Sequence, residues 1–214
     1  MRILVDGLDL SGKTTLVQAL IAELDDRGVT AVRHRGMLAH HHPVEPLLKR
    51  LPLVRQADSG FITAAFLTAG YALDSLLVGI DPPRPAGAVL LQEGYADRTL
   101  AFGIAGGPYL TALLGVRWLR LFAPFDLAVY VHAPLEVRAG RMSGREDDLD
   151  SADVRSCTDA HFAEVFNTTL LRVIGRRHHH LLVFDTSQHT PQEMAAQIAG
   201  RLLGNRVPAQ RSAA

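Results

Sequence analysis

Residues 5–16 read "VDGLDLSGKTTL" and continue a short apolar run that begins near the N-terminus. The part from Gly7 to Thr14 matches G-x-x-x-x-G-K-[ST] in full. Glycines let the backbone N–H groups turn inward around an anion, and a helix beginning at Lys13 would point the positive end of its dipole at the same place. The pattern therefore predicts a phosphate-binding loop, with Lys13 on the outer phosphates of a ligand and the Thr14 hydroxyl on Mg²⁺. The residues of this loop predicted to contact the ligand are Gly7, Leu8, Asp9, Leu10, Ser11, Gly12, Lys13, Thr14 and Thr15.

Charge and composition exclude several classes of protein. The 22 basic and 22 acidic side chains balance, which disfavours a nucleic-acid binder, because such a protein needs excess positive charge. Cys157 is the only cysteine, so no internal disulfide can form and a reducing compartment is expected. No apolar stretch approaches the roughly 20 residues of a membrane span, and Asp6 and Asp9 interrupt the first apolar run. These features predict a cytoplasmic protein with no membrane partner.

The apolar runs predict an α/β fold with a five-stranded parallel sheet between two layers of helices. We predict strands over residues 2–6, 29–34, 86–93, 125–134 and 179–187. We predict helices over residues 13–28, 43–52, 59–80, 134–142, 151–175 and 190–204. No repeat or linker divides the chain, so residues 1–204 are predicted to form one domain, followed by a polar, flexible tail at 205–214.

A second candidate segment, "QEGYADRTLAFG" at residues 92–103, follows the third predicted strand. Ligands bind at the carboxyl ends of parallel strands, which would bring Glu93 beside the phosphate loop. There it could hold Mg²⁺ through water or take a proton from an attacking hydroxyl. Tyr95 and Phe102 either wall an acceptor pocket or belong to the core. Asp97 and Arg98 either pair with each other or face the ligand, and the sequence leaves this open.

Together these two segments resemble thymidylate kinase and its relatives among the nucleoside and nucleotide kinases. "LEVRAGRMSGRED" (135–147) resembles that family's helix and Arg-bearing lid, here about 141–152, and "FDTSQHTPQEMAAQI" (184–198) resembles its last strand and adenine-side loop. The resemblance implies a P-loop kinase that moves the γ-phosphoryl group of ATP, with Mg²⁺, to a small-molecule acceptor. It also implies catalytic roles for Lys13, Asp9 and Glu93, and a homodimer to which the helix over 59–80 could contribute.

The lid segment supplies three arginines to this implied active site. The resemblance implies that Arg138 binds ATP and that Arg141 and Arg145 neutralise charge on the moving phosphoryl group. Their spacing would place all three on one face if the helix continued past residue 143. The alternative is a basic helix face exposed to solvent.

Two departures from the family concern the acceptor. Gly94 stands where the family's motif arginine grips the acceptor monophosphate, and Gly70–Tyr71 stand where a second arginine is expected. Arg98, Arg33 or Arg35 could substitute for them. The residues predicted to bind the acceptor are Arg35, Phe66, Tyr71, Tyr95, Arg98 and Phe102.

The acceptor is therefore predicted to differ from ordinary thymidylate. It is either a monophosphate held by a different set of arginines or an uncharged nucleoside or metabolite, as in an enzyme of specialised metabolism. One competing hypothesis is a non-kinase P-loop protein, such as a nucleotide-dependent switch or a resistance protein, although the lack of an N-K-x-D stretch argues against a GTPase switch. Another is a degenerate kinase that binds nucleotide without turnover. The missing arginines favour it, whereas the intact phosphate loop, Glu93 and the lid arginines argue against it.

Histidines are concentrated in "AHHHP" (39–43) and "RRHHHLL" (176–182). Consecutive histidines on a loop do not converge on one metal ion, because zinc sites use spaced ligands. One residue of His40–His42 could instead contact the substrate.

Overall fold

The computed structural model describes residues 1–43, 60–83, 85–107, 109–144 and 151–204. Within these ranges the strands are β1 (Arg2–Asp6), β2 (Ala31–His34), β3 (Val89–Glu93), β4 (Leu127–His132) and β5 (Leu181–Asp185). The α-helices are α1 (Lys13–Asp26), α2 (Gly60–Leu77), α3 (Ala96–Ala105), α4 (Leu110–Arg117), α5 (Leu135–Ser143), α6 (Ser151–Thr158), α7 (Ala160–Arg177) and α8 (Pro191–Gly204).

All five strands are parallel, in the order β2-β3-β1-β4-β5. The chain passes from β1 to the β2 edge and returns through β3 before it crosses to β4 on the other side. The order of the strands therefore reverses around β1, and ligand sites form at such a point. The register pairs Val5 of β1 with Glu93 of β3, so the start of the phosphate loop and Glu93 lie side by side.

Alternate residues of the strands pack into two separate cores, one on each face of the sheet. Ile3 and Val5 of β1 pack against α1 and α8, whereas Leu4 between them belongs to the cluster that includes residues of α3 and α7. This alternation follows from the period of two in a strand and requires helices on both faces. The predicted three-layer α/β/α fold class is thus confirmed.

The five predicted strands are confirmed; the first has the predicted bounds, and the other four are shorter than predicted. For example, β2 begins at Ala31, because Gly28 ends α1 with a φ of 71° and the Val29 N–H still bonds to the Leu24 carbonyl oxygen at 2.8 Å. Helices α3 and α4, between β3 and β4, were not predicted. The helix predicted over 43–52 and the tail at 205–214 lie wholly or mostly outside the described residues.

The single helix predicted over 151–175 is wrong, because the chain forms two helices with Asp159 between them. The Asp159 side chain accepts a hydrogen bond at 2.9 Å from the Phe162 N–H and caps α7. An aspartate at this position satisfies an N–H group that the helix leaves without a partner. Across the described ranges, no helix is both long enough and apolar enough to cross a membrane.

Candidate active site

The loop that connects β1 to α1 is tightly packed against the end of β4. A Cβ atom at Gly7 would lie 2.1 Å from the Val131 carbonyl oxygen, so this position has no room for a side chain. Gly12 caps α1 with a φ of 96°. Leu10 has a φ of 62°, the one positive value at a non-glycine position among the described residues. Such backbone strain is concentrated at functional sites, and here the surrounding structure holds the loop in a fixed shape.

The ammonium group of Lys13 folds back over this loop. Its Nζ donates to the carbonyl oxygens of Gly7 at 3.0 Å and Leu8 at 2.6 Å, and lies 3.6 Å from Oδ1 of Asp9. The Leu8 side chain is buried in the core, so Leu8 contributes its backbone to the site. Burial and the nearby Arg98 guanidinium lower the pKa of Lys13 to about 8.

Glu93, at the end of β3, is surrounded by hydrogen-bond donors. The Thr14 hydroxyl, in the first turn of α1, donates to its Oε1 at 2.5 Å. Arg33 of β2 donates to Oε2 at 2.7 Å, and Arg35 donates to both oxygens at 2.8 and 3.1 Å. Burial alone would raise the pKa of Glu93, but the bonds from Arg35, Thr14 and Arg33 outweigh burial and lower the pKa to about 2. Glu93 is therefore an ionised carboxylate near neutral pH.

Thr14 and Glu93 suit Mg²⁺ in their chemistry. Mg²⁺ prefers oxygen ligands and is usually held by one or two carboxylates together with waters and substrate phosphates. The two side chains are in direct contact beside the phosphate loop, which fits such a shared site. Among the described residues, no group of three or more His, Cys, Asp or Glu could hold a metal ion by itself.

Arg98, in the first turn of α3, extends toward the phosphate loop. Its guanidinium donates to the Gly7 carbonyl oxygen and to Oδ2 of Asp9. Asp97 is fully buried and accepts a hydrogen bond from Arg177 at 2.7 Å. Asp97 and Arg98 therefore do not pair with each other, because successive helix residues point in different directions. The sequence had left this open.

Arg141 of α5 ties the phosphate loop to the end of β5. Its NH1 group donates to the Leu10 carbonyl oxygen at 2.8 Å and to the Thr186 hydroxyl at 3.1 Å. That hydroxyl donates in turn to the Ser11 carbonyl oxygen at 2.8 Å. Arg141 thus lies against the loop, and its action on the moving phosphoryl group stays a prediction; Thr186 is a contact that the sequence reasoning missed.

Of the other two lid arginines, Arg138 lies away from the cleft and Arg145 is outside the described residues. Arg138 is 2% exposed, and its guanidinium donates to the carbonyl oxygens of Ala133 and Ser156. The structure therefore does not bring this side chain to the surface of the cleft. Helix α5 ends at Ser143, and residues 145–150, which include Arg145 and half of the predicted lid, lie outside the described residues.

A cleft with a volume of about 470 Å³ opens at this edge of the sheet. It collects predicted residues from four separate parts of the chain, namely Asp9, Leu10, Gly12, Lys13, Thr14, Thr15, Arg35, Glu93 and Arg141. Its remaining wall was not predicted residue by residue and consists of Thr186, His189, Pro191 and Met194. The sequence did point to this part of the cleft, because the segment after β5 resembles the family's adenine-side loop. That resemblance did not identify individual side chains.

Comparison with known proteins was made by sequence and by fold. A thymidylate kinase from Leuconostoc citreum (strain KM20) is 27% identical over 195 residues, which cover 86% of this chain and 86% of that protein. A thymidylate kinase from Symbiobacterium thermophilum is 30% identical over 148 residues, or 67% of each chain. No family model matches the chain.

These relatives decide the family. The chain belongs to the thymidylate kinase family. It is a P-loop kinase and a phosphotransferase of the nucleotide kinase type. The solved structure of thymidylate kinase from Candida albicans has the same fold, with a TM-score of 0.66 over 96% of this chain and 92% of that one, at 15% identity.

Two of the residues predicted to bind the acceptor, Tyr71 and Tyr95, lie in the core. Tyr71 and Tyr95 are both buried, and their rings meet edge to face with centroids 4.5 Å apart. The Tyr95 hydroxyl donates to Asp74, which also accepts the backbone N–H groups of Leu38 and Ala39. The two tyrosines lie in the core, which the sequence had left open for Tyr95. Asp74 is buried and accepts all three of these hydrogen bonds, and the sequence analysis did not predict this role.

Three further residues predicted to bind the acceptor are partly exposed, exposed or only partly described. Phe102 is half-buried, and its ring packs against Phe166 with centroids 4.7 Å apart. Arg35 is exposed and reaches Glu93. Phe66 lies in α2, but its side chain is outside the described residues. Acceptor binding by these residues stays a prediction.

Two side chains of the first histidine run contact α2 and the turn that follows it. Nδ1 of His41 lies 2.9 Å from Oδ2 of Asp81, and Nε2 of the buried His42 lies 3.1 Å from the Gly70 carbonyl oxygen. These contacts hold the segment after β2 against α2. A substrate contact by His40–His42 stays a prediction.

Proposed function

We propose that this kinase transfers the γ-phosphoryl group of ATP to a nucleotide, nucleoside or related small acceptor other than ordinary thymidylate. The supporting observation is one cleft in which the phosphate loop, Lys13 and the Thr14–Glu93 pair meet. In the reaction an acceptor oxygen attacks the γ-phosphorus in line. The new O–P bond forms as the bond to the bridging oxygen breaks, and ADP leaves with that electron pair.

The residues around the cleft divide the work of positioning and charge stabilisation. Lys13 and Arg141 would hold the phosphates and stabilise charge on the moving group, with Arg145 approaching from the lid. Asp9 would orient the acceptor, and Glu93 would hold a metal-bound water or an acceptor proton. Mg²⁺, held by Thr14 and Glu93, would supply charge neutralisation on the nucleotide phosphates.

The residues at the position of the second expected arginine, Gly70 and Tyr71, support an acceptor other than thymidylate. A Cβ atom at Gly70 would lie 2.7 Å from Cε of Met37, so a side chain at this position would displace the methionine. The next residue, Tyr71, packs into the core on Tyr95. Apolar and aromatic groups therefore occupy the region where the family resemblance implies a cation, and the acceptor group recognised there should be correspondingly less polar.

The test is an acceptor panel assayed for ATP consumption and, by mass spectrometry, for the phosphorylated product. The panel holds the common nucleosides, their 5′-monophosphates and small hydroxylated metabolites. We expect one acceptor other than thymidylate to give the highest kcat/KM. Lys13→Ala should lower that value about 100-fold or more, because it removes a charged donor to the transferred group.

Arg27→Ala is the matched control, since Arg27 is a surface arginine paired with Glu23 at the far end of α1. It should keep the activity of the parent protein. Thymidylate as the best acceptor would contradict the acceptor claim alone. Transfer that survives Lys13→Ala would contradict the assignment of the active site.

A further inference from the structure

One guanidinium nitrogen bridges the two side chains that suit Mg²⁺. NH2 of Arg35 lies 2.8 Å from Oε1 of Glu93 and 3.3 Å from the hydroxyl oxygen of Thr14. The Thr14 hydroxyl donates to the same Oε1 at 2.5 Å, so these polar atoms all contact one another. A cation that used both oxygens would need the position that this nitrogen holds. The positive charge of Arg35 therefore stands where the charge of a metal ion is expected.

The other oxygen of Glu93 is held by a second arginine. Nε and NH2 of Arg33 lie 2.7 and 2.5 Å from Oε2, and Nε of Arg35 reaches the same oxygen at 3.1 Å. A carboxylate offers about four lone-pair positions, and the donors from Thr14, Arg33 and Arg35 use all of them. A metal ion, or a water bound to one, therefore gains access to Glu93 only when a guanidinium leaves.

Exposure and position indicate which guanidinium leaves. Arg33 lies within β2, paired in register with Leu91 of β3, and its side chain is 30% exposed. Arg35 follows the end of β2, lines the cleft and is 60% exposed. An exposed guanidinium regains water when its ion pair breaks, so the separation of Arg35 from Glu93 requires little free energy. Arg35 is thus the exchangeable partner of Glu93, and Arg33 is the fixed one.

Charge prevents the arginine and a metal ion from sharing this carboxylate. Glu93 supplies one negative charge, which the guanidinium groups of Arg33 and Arg35 already surround. A divalent ion at Oε1 would lie directly beside both guanidiniums, and like charges at contact distance repel strongly where water is partly excluded. The departure of Arg35 removes one of these charges and frees Oε1, which is the oxygen next to Thr14.

We propose that Arg35 and a divalent cation are alternative partners of Glu93, so that Arg35 closes the metal site until it is displaced. This inference rests on the metal site of the proposed function and adds the residue that controls access to it. The phosphates of an arriving nucleotide bring oxygen ligands for the cation and negative charge for the released guanidinium. The cation is therefore expected to enter with the nucleotide and to bind weakly without it.

The test measures Mn²⁺ binding to the full chain by electron paramagnetic resonance, without any nucleotide. Mn²⁺ takes the same oxygen ligands as Mg²⁺. Arg35→Ala should bind Mn²⁺ about 10-fold more tightly than the parent protein, because it removes the competing charge. Arg35→Lys keeps the charge without the planar fork and should fall between. Arg141→Ala is the matched control: this cleft arginine contacts Leu10 and Thr186 and not Glu93, so its loss should change the affinity less than about threefold.

A second substitution shows whether the gain acts through Glu93. Glu93→Gln, added to Arg35→Ala, should return the Mn²⁺ affinity to that of the parent protein or below. Equal affinities in the parent protein and Arg35→Ala, or an equal gain in Arg141→Ala, would overturn the competition.

A failure of this inference can be told apart from a failure of the proposed function. If the affinity gained in Arg35→Ala survives Glu93→Gln, the metal site of the proposed function is wrong, and this inference fails with it. If Glu93→Gln weakens Mn²⁺ binding but Arg35→Ala does not strengthen it, this inference alone is wrong. The acceptor panel measures turnover and does not enter this binding experiment.

Discussion

Asp6, the last residue of β1, is a fully buried carboxyl group directly before the phosphate loop. Its Oδ1 accepts the Gly7 N–H at 2.8 Å, while its Oδ2 has no hydrogen-bond partner among the described residues. Burial raises the pKa of Asp6 to about 7, although Arg98 and Lys13 lower it. A carboxyl group with this pKa keeps its proton in mildly acidic solution and is about half ionised at pH 7, and its ionisation opposes folding.

Asp6 should make the protein less stable as the pH rises from about 4 to about 7. Below this range both the folded and unfolded chains carry the proton, and within it only the folded chain does. Asp6→Asn keeps the shape and the bond to Gly7 but removes the ionisation. The free energy of unfolding of the variant, measured with urea, should therefore rise relative to that of the parent protein by roughly 4 kcal/mol across this pH range. Parallel pH profiles for the two proteins would contradict the buried ionisation.

Lys13 should make ATP binding depend on pH. Its pKa of about 8 means that the free protein loses this charge in mildly alkaline solution. Phosphates bind the charged form, so at about pH 9 binding should take up close to one proton and the affinity should fall. Calorimetry in two buffers of different ionisation enthalpy measures this uptake. Lys13→Arg should abolish it, because a guanidinium stays charged; equal uptake in both proteins would assign the proton to another group.

At the scale of elements, Asp74 joins α2 to the segment after β2 and to α3. It accepts the N–H groups of Leu38 and Ala39 at 2.8 and 2.7 Å and the Tyr95 hydroxyl at 2.5 Å. Asp74→Ala should lower the free energy of unfolding by about 3 kcal/mol or more, because it leaves buried donors without a partner. Tyr95→Phe removes one of these bonds and should cost about 1 kcal/mol. Chemical denaturation measures both, and equal losses would mean that the backbone bonds contribute nothing.

What the sequence could predict depended on how local each signal was. The strands and the phosphate loop could be predicted because apolar runs, glycines and Lys13 lie within a few neighbouring positions. The role of Asp74 could not be predicted, because its partners Leu38 and Tyr95 are distant in sequence. A single aspartate in an apolar helix does not indicate which residues it will bond to. The cap at Asp159 was a local signal that the longer helical pattern concealed. The direction of Arg98 toward Asp9 required the packing of α3 on the sheet.

At the scale of the whole molecule, the residues predicted to bind ATP and those predicted to bind the acceptor lie mostly on different elements. The phosphate loop, Glu93 and Arg141 meet in one cleft at the edge of the sheet. The residues predicted to bind the acceptor lie instead on α2, α3 and the segment after β2, which Asp74 and Tyr95 join. These elements pack on one face of the sheet in a single core that includes Leu4 and Leu90, so a substitution there is expected to act on the strands as well.

Helix α4 and the turn after it expose a row of apolar side chains on this same side of the molecule, namely Leu110, Leu113, Leu114, Trp118 and Leu121. Exposed apolar patches of this kind mark association surfaces, and the family resemblance implies a homodimer. We predict that the parent protein sediments as a dimer and that Leu113→Glu shifts it to the monomer, because a buried unpaired carboxylate opposes association. Val154→Glu on α6, a comparably exposed site, should leave the dimer intact. Analytical ultracentrifugation decides: a parent protein that is monomeric at every concentration, or a Leu113→Glu dimer, would exclude this face as the interface.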